Sequence, residues 1–200
     1  MRTDIDNWKP LSVSSIVNVF SKMPITWCIA GGWALDLHVG RNSREHSDID
    51  VLITRKELLI AYQWIQKDWT LYKAEDGKLL HWVDGEFLKS TRDVWVSRNH
   101  VAPWAFQIMI IDSKDGNWIY RREKSIKRAM NEIILKSPDG IPYLKPEIQL
   151  LYKAGSSKIR EKDFQDLQTM LPILSTQEKE WLTLSLKKQF PDGHTWIEYL

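Results

Sequence analysis

Two short stretches of the chain hold residue types that can do chemistry. Gly31-Gly32-Trp33 ends one apolar run, and Asp48-Ile49-Asp50 opens another about sixteen residues later. If Asp48 to Thr54 is a strand, side chains two residues apart share a face, so the two carboxylates project together at a spacing of roughly 6 to 7 Å. That is close enough to share one or two hard cations, while Ile49 and Val51 turn to the core. Two acids opening an apolar strand are costly unless something compensates them. Mg²⁺ suits an oxygen-only pair with no cysteine and no clustered histidine nearby. The Gly-Gly turn ahead of a helix offers backbone N–H groups that phosphate oxygens can approach without a side chain in the way, at the helix end that favours anions. A metal-binding pair and a phosphate-binding turn are thus expected one element apart.

Those residues need a scaffold, and the patterning supplies one. Val13, Ile16, Val17 and Phe20 are spaced as one face of a short amphipathic helix ending near Met23-Pro24. Ile25 to Ala30 is a compact, partly β-branched run stopped by Gly31-Gly32, and Trp33 to Val39 reads as a short helix closed by Gly40. After a polar loop, Asp48 to Thr54 reads as a strand and Arg55 to Lys67 as a helix through Leu58, Leu59, Tyr62 and Ile65. The opening is therefore αβαβα. From Trp69 to Ile119 the pattern changes to short β runs: Trp69 to Lys73, Leu79 to Val83, Asp93 to Ser97 and Phe106 to Ile111. Asp76-Gly77, Asp84-Gly85 and Asp115-Gly116 punctuate them as hairpin signals, so a mixed sheet is expected. Ser137-Pro138-Asp139-Gly140 marks a turn, and Pro146 to Ala154 starts a helix with proline in its first turn. Asp163 to Leu171 continues as helix, and Ser175-Thr176-Gln177-Glu178 is a capping box for a helix to about Gln189. The fold class is α+β: a mixed β-sheet flanked by helices, with a helical C-terminal part. The expected division is residues 1–140 as catalytic domain and residues 141–200 as the helical part.

Composition narrows the function classes. At 43% hydrophobic and 27% charged, with 8 Pro and 9 Gly spread over 200 residues, the chain is neither disordered nor low in complexity. The 28 basic and 26 acidic side chains are interspersed and leave a net charge of +2, which gives no broad footprint for duplex DNA. One denser basic cluster, Arg121, Arg122, Lys124, Lys127 and Arg128, reads as a solvated face. No stretch approaches a membrane span and the first ten residues lack the apolar core of a signal peptide, so a cytoplasmic protein is expected. The single cysteine, Cys28, is expected as a small buried hydrophobe. Most of the 11 tryptophans must be core.

The segment from Trp27 to Asp50, with its Gly31-Gly32-Trp33 and its Arg44-Glu45-His46-Ser47-Asp48-Ile49-Asp50, resembles the signature of the DNA polymerase beta type nucleotidyltransferase superfamily. Within it, the likeness is to the small aminoglycoside 2″ and lincosamide nucleotidyltransferases. Gly140 to Tyr152 and Lys162-Asp163-Phe164 are similar to the segment where lincosamide enzymes enter their C-terminal helices. The resemblance implies a nucleotidyltransferase fold and transfer of a nucleoside monophosphate from a triphosphate, ATP, to a hydroxyl of a small, antibiotic-like acceptor, with pyrophosphate leaving. It implies that Asp48 and Asp50 hold Mg²⁺, that the Gly31 and Gly32 backbone cradles phosphates, and that Arg44, His46 and Lys153 are further triphosphate contacts. The chain would act as a monomer or homodimer.

One position departs from that pattern. The superfamily has a third carboxylate on a later strand, and Gln107 aligns there. An amide can offer a metal one oxygen but adds no negative charge and is a poor base. Asp112, five residues away, falls on the opposite face of a regular strand. Asp93 and Glu86 are the candidates for third ligand or base. Two other functions stay open at this point: a nucleotide-binding protein without transfer, and a transferase acting on protein or RNA, which an open basic cleft near Arg121 to Arg128 would favour. The acceptor pocket is expected between the sheet and the C-terminal helices, with Trp33, Trp82, Trp95 and Trp104 as candidate lining.

Overall fold

A computed structural model describes residues 1–156 and 158–200. Its elements begin with helix α1 (Val13–Phe20), which Ser12 caps by accepting a hydrogen bond from the Ser15 N–H. Strand β1 (Trp27–Ala30) runs directly into helix α2 (Gly31–Val39), so the glycine pair forms the first turn of that helix and not a separate loop before it. Strand β2 (Asp50–Thr54) is followed by a 3-10 turn and helix α3 (Leu58–Ile65). The β-rich middle comprises β3 (Thr70–Glu75), β4 (Lys78–His81), β5 (Asp93–Ser97) and β6 (Trp104–Lys114). Then come β7 (Asn117–Ile119), β8 (Lys127–Ala129), β9 (Ile134–Lys136) and β10 (Pro142–Leu144). Helices α4 (Pro146–Ala154), α5 (Glu161–Met170) and α6 (Thr176–Gln189) complete the order. The architecture is α+β, with a mixed sheet and three C-terminal helices.

The chain divides into two units, one formed by Met1–Trp33 with His46–Asp112 and the other by Ala34–Glu45 with Ser113–Leu200. In the first, strands lie in the order β4-β3-β5-β6-β2-β1. The β2–β6 pair is parallel and its neighbours are antiparallel. Alternation sorts the side chains of these strands into two faces. Val51, Ile53, Val94, Val96 and Ile108 are fully buried. On that covered side α1 sets Phe20 edge-on to Phe106 of β6, ring centres 5.7 Å apart, and Trp69 meets the same ring at 5.5 Å. The other face carries Asp50, Asp93, Trp95, Gln107 and Met109, all partly exposed. Cys28 is buried in β1, where desolvation pushes its thiol pKa up.

A bulge extends the second face. Val96 pairs with Phe106 but Ser97 pairs with Trp104, which leaves Ala105 as an extra residue and turns Trp104 to the side of Trp95. Their rings meet edge to face at 5.2 Å, and Trp8 closes on Trp95 at 4.8 Å. The N-terminal segment follows: Trp104 N–H donates to the Asn7 carbonyl, and the Arg2 guanidinium lies 3.7 Å over the Trp104 ring.

In the second unit β7 pairs with β8 and β9 with β10, both antiparallel. Helix α4 packs on α5 and α6. Ser175 and Glu178 form the capping box of α6 read from the sequence. Gly155, just after α4, sits where an added Cβ would lie 2.4 Å from the Tyr120 hydroxyl and 2.8 Å from Gln189 Nε2.

Candidate active site

The end of β1, the start of α2 and the start of β2 meet because Ala30 pairs with Asp50. Gly31 is therefore laid against the Asp50 carboxylate. Its φ is +68°, and a Cβ there would stand 2.2 Å from Asp50 Oδ2. Both the left-handed backbone and the lack of room demand glycine at this position. The first turn of α2, where backbone N–H groups favour anions, thus opens beside an acid.

Asp48 lies outside β2, which starts at Asp50 and not at Asp48 as the pattern suggested. The chain is already alongside β6 at Ile49, whose carbonyl accepts from the Gln107 N–H at 2.9 Å. Asp48 and Asp50 are both half-buried. His46 packs on Trp33, ring centres 4.6 Å apart, so the loop before β2 is tied to the first turn of α2.

Across the sheet, Asp50 pairs with Gln107 and Gln107 with Trp95. Gln107 Nε2 donates to Asp93 Oδ1 at 3.0 Å. Asp50, Gln107 and Asp93 therefore follow one another over three adjacent strands on one partly exposed face. Glu86 does not join them. It is an ion-pair partner of Lys73, and Lys73 pairs with Val94, whose side chain points to the covered face. Asp112 is likewise engaged elsewhere, bonded to Arg55. Among the described residues no three His, Cys, Asp or Glu side chains gather into a metal-holding group.

Two other named residues belong to the second unit, in a buried charge network. Arg44 forks onto Asp166, with Nε to Oδ1 at 2.8 Å and Nη2 to Oδ2 at 2.9 Å. Lys153, only 7% exposed, reaches Asp166 at 2.7 Å and Asp163 at 3.3 Å. Arg160 holds Asp163 from the other side at 2.8 Å. Burial works to raise the pKa of both carboxyls. The Arg160 hydrogen bond at Asp163, the Arg44 hydrogen bond at Asp166 and the charge of Lys153 outweigh it and keep both below the ordinary aspartate value. Asp163 and Asp166 were not singled out from the sequence for this role, although their i, i+3 spacing on a helix puts them on one face. Arg44 also lines a hollow of about 510 Å³ with Ser43 and Gln165.

Of the four tryptophans considered as lining, Trp82 and Trp104 are at most 1% exposed and serve as core. Trp33 and Trp95 are half-buried. In the basic cluster, Arg122 donates to the Tyr120 hydroxyl and the Tyr152 carbonyl, each at 3.1 Å. Arg128 pairs with the buried Glu147 and lies over the Trp181 ring at 4.1 Å. These arginines are structural partners and not a solvated basic face.

Residues 12–63 match the family described as aminoglycoside-2''-adenylyltransferase. Over 36 residues the chain is 42% identical to a lincosamide resistance protein of Staphylococcus haemolyticus; the matched stretch is 18% of this chain and 22% of that relative. Among solved structures, the lincosamide antibiotic adenylyltransferase LnuA with lincomycin bound superposes with a TM-score of 0.57 at 20% identity, covering 84% of this chain and 99% of that one. ANT(2")-Ia in complex with adenylyl-2"-tobramycin gives 0.56 at 10% identity, covering 86% and 95%. Its solution structure gives 0.60 at 12% identity, covering 90% and 91%. The chain thus resembles the aminoglycoside 2″-adenylyltransferase and lincosamide nucleotidyltransferase family, and it shares its fold with these solved adenylyltransferases.

Proposed function

We propose that this protein is a nucleotidyltransferase that moves a nucleoside monophosphate from ATP to a hydroxyl of a small, antibiotic-like acceptor and releases pyrophosphate. The observation that carries this reading is the close approach of Gly31 to the Asp50 carboxylate. It puts the first turn of a helix, the end that favours phosphate oxygens, beside a residue able to hold the cation that accompanies them. The solved relatives with lincomycin and adenylyl-tobramycin support the acceptor class.

The donor set fits Mg²⁺ used together with a nucleotide. Asp48 and Asp50 offer only oxygen, and two carboxylates leave a shell that triphosphate oxygens and water must complete, which is how Mg²⁺ is commonly bound. When bound, the ion neutralises charge on the transferring phosphate and the leaving pyrophosphate. The chain's own part is positioning. Gly31 and Gly32 would present backbone N–H groups to the phosphates, Asp48 and Asp50 would hold the ion, and His46 on Trp33 borders the same turn. Arg44 and Lys153 already hold carboxylates in the second unit, and the proposed chemistry does not depend on them.

A macromolecular acceptor is the weaker reading, because Arg122 and Arg128 are engaged inside the protein. The test is incubation with ATP and Mg²⁺ plus lincomycin or tobramycin as the first acceptors, followed by mass spectrometry. An acceptor heavier by one adenylate, with stoichiometric pyrophosphate, is expected. Pyrophosphate released while a protein substrate gains the adenylate would move the function to the macromolecular class.

A further inference from the structure

We infer that Trp95 is the platform on which a sugar ring of the acceptor stacks, and that Trp8 of the N-terminal segment holds that platform in place. This rests on the transferase reading above. One row of paired residues crosses the sheet of the first unit: Asp50 on β2, Gln107 on β6, Trp95 on β5 and Tyr72 on β3. Residues paired directly across neighbouring strands share a face, so the row passes from a carboxylate through an amide to two aromatic rings. Tyr72 is buried, whereas Trp95 is partly exposed next to Gln107. An aromatic ring beside polar groups suits a sugar, which offers C–H groups on one face and hydroxyls at its rim. The ring is also held on two sides, by Trp104 edge-on at 5.2 Å and by Trp8 at 4.8 Å. Trp8 is fastened in turn. Its Nε1 donates to the Ile5 carbonyl at 2.9 Å, the Trp104 N–H donates to the Asn7 carbonyl at 2.7 Å, and the Lys9 N–H donates to the Trp104 carbonyl at 2.9 Å. Arg2 completes the hold by donating to Ser97 Oγ at 2.9 Å and to the Ala102 carbonyl at 2.8 Å. A large ring with few rotations left loses little entropy when a ligand lands on it. Trp8 and Trp95 both lie outside residues 12–63, so the platform belongs to this chain and not to the segment that matches the family.

The direction of transfer selects the acceptor over the nucleotide as the occupant. The glycine turn follows β1, on one side of Asp50, and Trp95 stands two strands away on the other, roughly 10 Å between strand axes. Attacking and leaving oxygens lie in line on opposite sides of the phosphorus. With the leaving pyrophosphate at the Gly31 turn, the acceptor oxygen approaches the α-phosphorus from the flank that holds Trp95. That oxygen forms its bond as the bond to the bridging oxygen breaks. Pyrophosphate leaves with the electron pair, and the hydroxyl proton ends in solvent.

The test compares the wild type with Trp95→Ala, Trp95→Phe and Trp8→Ala. Calorimetry reads binding of a non-hydrolysable ATP analogue with Mg²⁺, then of lincomycin and of tobramycin to the loaded protein, and pyrophosphate release with ATP reads turnover. Trp95→Ala is expected to weaken acceptor binding more than about tenfold while analogue affinity stays within about threefold of wild type. Trp95→Phe, which keeps a flat ring, should recover most of that loss, and Trp8→Ala should weaken the acceptor by about threefold or more. A structural role alone would not separate the two ligands in this way. Three results overturn the assignment: a folded Trp95→Ala protein with acceptor affinity within about threefold of wild type, an analogue affinity that falls as far as the acceptor's, which would put the nucleotide base on the ring, and a wild type that binds the analogue but neither acceptor. If Trp95→Ala does not fold, Trp95→Leu keeps bulk against Trp104 and is read by the same limits. A wild type that binds no analogue contradicts the transferase reading itself, and the platform falls with it. A wild type that binds analogue and acceptor yet releases no pyrophosphate from ATP contradicts transfer alone, and the acceptor affinities of the variants still decide the platform.

Discussion

Gly31 combines two demands that no other residue type meets, a φ of +68° and a Cβ position already taken by the Asp50 carboxylate. Gly31→Ala therefore carries a left-handed backbone cost of roughly 1–2 kcal/mol and must also push Asp50 aside. Urea unfolding should show lower stability, and calorimetry should show nucleotide affinity reduced more than tenfold. Wild-type affinity in a less stable protein would mean that Asp50 need not be where it is to hold nucleotide. The buried charge network makes a second residue-level prediction. Removing Lys153 leaves Asp163 and Asp166 short of a partner inside the protein, so Lys153→Met should cost about 3–5 kcal/mol in urea. The network also has a pH signature. The folded pKa values of both aspartates lie below the unfolded value of about 3.9. Their contribution to stability is therefore complete above that value and is lost as pH falls through the folded ones. Urea midpoints recorded against pH should drop below about pH 4 in the wild type, and Arg44→Leu, which brings the folded pKa of Asp166 back towards the unfolded one, should be less stable at neutral pH and show a smaller acid decline. The nearness of Gly31 to Asp50 follows from a strand, helix and strand legible in the sequence, although Asp48 lies before β2 and not in it. The partners of Arg44 and Lys153 were not legible, because Asp163 and Asp166 are separated from them in sequence and meet them only through packing.

Elements with a clear period were read correctly and short ones were not. Asp93 to Ser97 and Pro146 to Ala154 have the expected limits, whereas the first helix ends at Phe20, short of the expected Met23-Pro24. Asp76-Gly77 and Asp115-Gly116 close hairpins with positive φ at both residues. Asp84-Gly85 turns the chain within the segment between β4 and β5 instead of joining two strands directly. Strands β8, β9 and β10 have three residues each, too few for alternation to be seen. The bulge at Ala105 was equally hidden, since it depends on cross-strand register. It decides that Trp104 is core beside Trp95. Gly155 shows a different kind of requirement at an element's end. Its φ is −76°, so space and not backbone freedom excludes a side chain. Gly155→Ala should lose about 1–3 kcal/mol by overpacking. A double-mutant cycle with Tyr120→Phe should show less than additive loss, because the hydroxyl 2.4 Å from the added carbon is then gone. Additivity within about 0.5 kcal/mol would mean that the crowding lies elsewhere.

At the scale of the molecule, a near-balanced charge and a mixed sheet bounded the function class before any fold was known. The basic cluster shows the limit of such reading: Arg122 and Arg128 look solvated in sequence but satisfy buried groups of their own unit. Among the described residues no helix is long and apolar enough to cross a membrane. The fold is shared with solved antibiotic adenylyltransferases at 10–20% identity. What the proposal adds is that the half-exposed face holding Asp50 binds a metal and a triphosphate. Calorimetry with a non-hydrolysable ATP analogue, with and without Mg²⁺, on the wild type and on Asp48→Ala/Asp50→Ala tests this most directly. Saturable binding that requires Mg²⁺ and disappears in a folded double variant is expected. A folded wild type that binds neither ATP nor GTP analogues with Mg²⁺ present, or a double variant that binds as well as the wild type, would contradict it.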